Sequence, residues 1–207
     1  MNTILISIVL LALAGVIFYF IKAGKTNTKN TPSTNKILKG NINDTFLYAN
    51  NHSEDNKEGA IGIYIWLMDY ILKDKKNIFS GSYLKKKFKN ATHLDFSSEY
   101  YGSNYVEIID DNVHIIPLSS LFYNCSRCYY DIKDYESAKT CCEKAINFNP
   151  KCHAKIHHNL GCAKICLNDF TSCVKDFDNA LKKDSSYIDS YYMRAVAYAA
   201  DKCQVRD

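Results

Sequence analysis

Cys125-x-x-Cys128 and Cys162-x-x-x-Cys166, with His153, His157 and His158 close by, have residue types and short spacings that could serve zinc. Structural zinc needs four such ligands converging as a tetrahedron. Cysteine is also a small hydrophobe that packs well in cores, and that is the plainer role for thiols spread through helical text, so no metal is expected. Cys152 and His153 are adjacent, but a nucleophile needs a base within hydrogen-bond reach and a group to orient that base. Sequence neighbours supply neither. Asp110-Asp111 reads as a turn before it reads as an acid pair or a metal site. The chain has no phosphate-cradling P-loop, no dinucleotide fingerprint and no HExxH. No catalytic residue and no cofactor is expected, and the chemistry to look for is recognition.

The elements around these residues set the terms. With 23% charged and 13% aromatic residues, the 207-residue chain can build a core. Its net charge of +4 is too small and dispersed to imply nucleic acid. From Thr3 to Ile21 no side chain is charged and nearly all are apolar. That is just enough for one helix to cross a bilayer core of ~30 Å, so residues 3–22 are expected to be a single transmembrane helix. No basic residue precedes the run, and Ala12 and Ala14 lie inside it, which argues against a cleaved signal peptide. Lys22, Lys25, Lys29, Lys36 and Lys39 all follow it, and basic flanks stay cytosolic. The C-terminal bulk is therefore expected on the cytosolic side. The nine cysteines agree, since an odd set is awkward in a secreted domain.

Residues 23–57, rich in Asn, Lys, Ser and Thr, read as a polar flexible linker. Residues 58–118 read as a degenerate segment, partly helical and partly irregular. Ile61, Ile63, Tyr64, Trp66, Leu67, Tyr70 and Ile71 predict one helix. Tyr83, Leu84 and Phe88 among Lys85, Lys86, Lys87 and Lys89 predict a second. Those lysines could meet anionic lipid headgroups, although a solvated helix face is the plainer reading. Val106, Ile108 and Ile109, then Val113, Ile115 and Ile116, flank Asp110-Asp111-Asn112 as a short hairpin or an irregular connection.

Self-similarity at a period of about 34 residues runs through the C-terminal third. Phe122, Tyr129, Tyr135, Ala138, Cys142, Ala145 and Pro150 mark one unit over 119–152. His157, Leu160-Gly161, Phe170, Cys173, Phe177 and Ala180 mark a second over 154–187. Asn168-Asp169-Phe170 mirrors Lys133-Asp134-Tyr135, and Tyr191, Ala195 and Tyr198 begin a third, capping helix over 188–200. Gly161, Ser126 and Ala195 share a position where backbones approach, and Ala138 and Cys173 share another. This pattern resembles the tetratricopeptide repeat family. It implies an all-α fold of C-terminal helical hairpins, an α-solenoid over 119–207, whose inner groove binds proteins or peptides. Cys125, Cys128, Cys142 and Cys173 then fall on core positions of the repeat.

The layout is also similar to the larger tetratricopeptide-bearing import receptor of the mitochondrial outer membrane. That resemblance implies a membrane-anchored receptor or adaptor taking chaperone C-terminal tails or precursor proteins. Asn124 would belong to a clamp for a terminal carboxylate, and Lys155 would supply its cation. Asn159 stands where that family has Arg, with His158 beside it, and the clamp residues of a preceding repeat are not recognisable. The candidate groove residues are Tyr123, Asn124, Arg127, Lys155, His158, Asn159 and Tyr192. Two alternatives are an exported repeat protein with a cleaved signal, and a scaffold or enzyme subunit whose pocket would join His93, Asp95 and Asp110.

Overall fold

In the computed structural model, residues 42–87, 102–109 and 112–204 are described. The expected transmembrane segment at 3–22 lies outside them, as do His93, Asp95, Asp110 and Asp111. Among the described residues no helix is long and apolar enough to cross a membrane.

The chain folds earlier than its composition implies. The linker expected over 23–57 is in fact helical from residue 42. Helix α1 (Ile42–His52) buries Ile42, Thr45, Phe46 and Ala49. Three of these are apolar at steps of four and three, so a single stripe faces the core although the segment also holds three Asn, an Asp and a His. Asn56 then caps helix α2 (Lys57–Lys73), its side chain accepting from the Gly59 amide at 2.9 Å. Helix α2 is apolar nearly all round, and Tyr64, Leu67 and Ile71 are fully buried. The two helices form a hairpin that packs on the repeats that follow.

Between that hairpin and the first repeat lies a three-stranded antiparallel sheet, an addition to the helical solenoid expected from the sequence. A 3-10 turn (Lys75–Asn77) leads into β1 (Ile78–Ser80) and a short helix α3 (Gly81–Lys87). β2 (Ser103–Ile109) and β3 (Asn112–Pro117) follow, in the order β1-β2-β3. The hairpin reading of 106–116 is the one realised, with Tyr105 opposite Ile116 and Val106 opposite Ile115. Tyr105 and Ile116 reach the helical core. A Cβ on Gly102 would collide with the Phe148 carbonyl oxygen, so glycine is what lets the sheet lie against the end of a repeat helix.

The repeats are α4 (Leu118–Asp131) with α5 (Tyr135–Phe148), then α6 (Ala154–Cys166) with α7 (Phe170–Lys183), closed by α8 (Ile188–Gln204). Their turns match as the sequence text does. Lys133 and Asn168 both have positive φ, 66° and 61°, and Asp134 and Asp169 cap the next helices through the amides of Ser137 and Ser172. At Gly161 a Cβ would lie 2.7 Å from Phe177 Cζ, and Ser126 is buried at the equivalent step. Ala195, the third of that set, is exposed instead. Lys164 and Asp176 join α6 to α7 through an ion pair of 2.6 Å, with both side chains mostly buried.

His157 fills the place that Phe122 takes one repeat earlier. It is 6% exposed, and neither ring nitrogen has a hydrogen-bond partner. Burial, helped by the charge of Lys183, pulls its pKa down to about 4.

Two outcomes follow from this packing. Lys133 pays for a left-handed backbone that glycine adopts freely. Lys133→Gly should raise unfolding free energy by about 1 kcal/mol in urea titrations, and Asn168→Gly by less; an unchanged midpoint for Lys133→Gly would refute the strain. His157 binds its proton more weakly folded than unfolded, so stability should fall as pH drops from about 6.5 towards 4. The loss attributable to this ring is up to about 3 kcal/mol, and His157→Phe should flatten that part of the pH profile.

Candidate functional site

The first helices α1, α4 and α6 lie side by side, and a cleft of about 300 Å³ opens along them. Asn43, Leu47 and Asn50 come from α1, Ser120, Tyr123 and Asn124 from α4, and Lys155 from α6. Its polar floor is knitted by one amide. Asn50 Oδ1 accepts from the Tyr64 hydroxyl at 2.7 Å and from Asn124 Nδ2 at 2.8 Å. Both Asn50 and Asn124 therefore have fixed orientations, and three helices are tied at one point. Burial raises the Tyr64 hydroxyl far above its ordinary pKa, so it remains a donor at neutral pH.

Lys155 Nζ lies 5.0 Å from the centre of the Tyr123 ring, a cation–π distance. Tyr123 is half-buried, and burial raises its pKa, with Arg127 and an Asn159 hydrogen bond acting the other way. The arrangement gives an aromatic wall with a cation on it, beside an oriented amide. Such a surface can hold a carboxylate or carbonyl oxygen while an apolar side chain rests on Tyr123 and on Leu47, which is half-exposed. Lys155 is the only lysine among the described lining residues.

The expected site residues thus fall into two sets. Tyr123, Asn124 and Lys155 line the cleft, and Asn159 touches Tyr123. Arg127 is on the same helix but pairs with Glu54 at 2.6 Å. His158 does not line the cleft: its Nδ1 meets Ser190 Oγ at 2.9 Å, and its ring packs edge-on to Phe177 and Tyr187. It serves the joint between α6 and α8. Tyr192 stands on α8, 68% exposed and outside the cleft lining. Sequence reasoning missed Asn43, Leu47 and Asn50, which lay in the supposed linker. The step from Phe46 to Ala49, one helical turn, was the signal that could have found them.

The cysteines pack. Cys125, Cys128, Cys141, Cys142, Cys152 and Cys173 are buried free thiols, Cys162 is half-buried and Cys166 exposed. Burial pushes Cys142 and Cys162 up to about 12 and Cys128 and Cys173 up to about 11, which suits packing more than metal ligation or nucleophilic attack. Among the described residues no three His, Cys, Asp or Glu side chains are grouped to hold a metal ion.

Residues 119–152 match the tetratricopeptide repeat family. Solved structures with the same fold include the C-terminal tetratricopeptide-containing domain of a Plasmodium falciparum protein assigned to the FK506-binding proteins. It is 16% identical, with a TM-score of 0.58 over 86% of this chain and 98% of that one. The first such domain of human RPAP3 is 13% identical, with a TM-score of 0.53 over 80% of this chain and 96% of its own. The first such domain of Spaghetti (RPAP3), bound to the HSP90 peptide SRMEEVD, is 14% identical, with a TM-score of 0.50 over 77% and 94%. At these identities the likeness is one of fold, and it agrees with the stacked hairpins and the matched turns: the described helices share the fold of tetratricopeptide-repeat domains, and residues 119–152 match that family.

Proposed function

We propose that this domain is a protein-binding receptor or adaptor whose cleft takes an extended peptide bearing a carboxylate, and that it works by recognition and not by bond chemistry. The observation that carries the reading is the convergence of the Asn50–Asn124 pair with Lys155 on Tyr123. Lys155 supplies the charge and the asparagine amides supply oriented polar contacts. Tyr123 and Leu47 hold an apolar neighbour of the bound group. The peptide held by the Spaghetti domain, SRMEEVD, is acidic and gives a chemical class to try here: chaperone tails or precursor segments with acidic or C-terminal carboxylates. Asn159 and His158 provide no guanidinium, so Lys155 acts as a point charge and not as a planar fork.

The same proposal includes a single-span anchor at residues 3–22 with the domain on the cytosolic side, in the mitochondrial outer membrane, as part of protein import. The apolar run and the five lysines that follow it support the anchor and its orientation. The general layout of anchor, polar segment and repeats supports the receptor role.

Binding of acidic C-terminal peptides to the full-length chain in detergent should weaken about tenfold or more in Lys155→Glu, with the thermal midpoint unchanged. Equal affinity in the two proteins would dismiss the cleft as the carboxylate site. Protease added to intact isolated mitochondria should release residues 42–204 while a matrix marker survives. Complete protection, or recovery of the chain in a different membrane fraction, would refute the assigned location.

A further inference from the structure

The sheet insertion carries a basic surface on the side of the sequence that the cleft does not use. Residues 73–87 hold six lysines and a single carboxylate, Asp74. Lys73 pairs with Asp69 on α2, but Lys75, Lys76, Lys85, Lys86 and Lys87 are all exposed, whereas Asp74 is half-buried and accepts from Asn77 Nδ2 at 2.8 Å. Two aromatic rings lie among them. Phe79 and Tyr83 stack with centroids 5.2 Å apart and planes 15° apart. Lys87 Nζ sits 5.7 Å from the first ring and 5.8 Å from the second. Tyr83 is 46% exposed.

The knob is held in place by its backbone. Leu84 is buried beneath α3, the Gly81 amide donates to the Gly102 carbonyl at 2.9 Å, and the Tyr83 amide donates to Ser80 Oγ at 3.3 Å. The 3-10 turn bearing Lys75 and Lys76 is joined to α3 by the three residues of β1, a length of only ~10 Å. Lys75 and Lys76 on the turn and Lys85, Lys86 and Lys87 on α3 thus flank, along the chain, the aromatic pair that Lys87 touches.

We propose that this lysine–aromatic knob docks on an anionic lipid surface. Charge complementarity names the partner: the cytoplasmic leaflet is negative, and each lysine brought near it strengthens partitioning about fivefold. The stacked pair adds an amphipathic body that suits the headgroup level, where tyrosine is favoured, and the lysine stems can lie along the rings while their heads stay hydrated. About 20 residues separate the apolar run from α1, a length that reaches at most ~70 Å, so a chain anchored by that run would keep the knob within range of its own bilayer. RNA would also meet the lysines, but it does not account for a tyrosine and a phenylalanine stacked on each other instead of being splayed to receive bases.

The test is lysine footprinting of the full-length chain in phosphatidylcholine vesicles with and without phosphatidylserine, using an impermeant amine-reactive ester and mass spectrometry. Phosphatidylserine should slow modification of Lys75, Lys76, Lys85, Lys86 and Lys87 about fivefold, while Lys175 and Lys202, exposed elsewhere, should be unaffected. High salt should reverse the protection. The triple substitution Lys85→Glu, Lys86→Glu, Lys87→Glu should remove it at Lys75 and Lys76 without altering peptide binding in the cleft. Equal rates in both vesicles would overturn the proposal. So would protection of these lysines by added RNA alone, which would reassign the patch to nucleic acid. The Lys155 experiment reads a different surface, so either reading can fail without the other.

Discussion

Close approach of helices is the constraint on which this structure depends. A helical hairpin cannot bury its apolar face alone, and stacking neighbours completes the core only if selected crossings admit no bulk. Gly161 meets the Phe177 ring, Ser126 is buried at the same step of the first repeat, and Ala138 is buried where the second repeat has Cys173. Large residues then fill the space between crossings: Phe122 stacks on Phe148 at 5.3 Å, and Phe177 is wholly buried. His157 is the exception, a polar ring on an aromatic position whose nitrogens have no partner, and its burial favours the neutral form. The repertoire of buried thiols has the same logic, because a thiol is small enough for a crossing and apolar enough for a core.

The cleft is a by-product of that stacking. Setting α1, α4 and α6 side by side brings their exposed faces into one concave surface, and the hydrogen bonds through Asn50 fix its floor. The hydroxyl that supports Asn50 belongs to Tyr64, a core residue of α2. Packing and the cleft are therefore coupled: the residue that fills the first hairpin also orients an amide of the cleft lining. The sheet contributes at the edge, since β3 runs straight into α4 and places Ile115 and Pro117 on the cleft wall. Beyond β2, at the β1 edge of the same insertion, the 3-10 turn and α3 carry the lysine and aromatic knob, so one insertion bears two surfaces of different chemistry.

Much of this was legible in the sequence where residue type and spacing act locally. Asp134 and Asp169 cap helices at matched steps, and the Lys133 and Asn168 turns repeat in backbone as they repeat in text. The period of about 34 residues follows from the size of one hairpin, which made α4 to α8 readable. The position of Tyr123, Asn124 and Lys155 along the cleft was readable too, since register within a repeat assigns a first-helix residue to the inner face. His158 was misplaced for the same reason: register gives a face, but the nearby Ser190 and Tyr187 come from the next turn of the chain and draw the ring towards the joint with α8.

What the sequence determined by itself was the repeat, its turns and the close approaches at Ser126 and Gly161, because the turns rest on contacts a few positions apart and each crossing joins helices adjacent in the chain. Only the tertiary structure decided that residues 42–52 are a helix of the domain and that Asn50 lines the cleft. An eleven-residue helix with three apolar anchors is too short and too polar to be stable alone. It exists because α2 and α4 offer a complementary face, and the amide pairing across 74 residues of chain has no local trace to read.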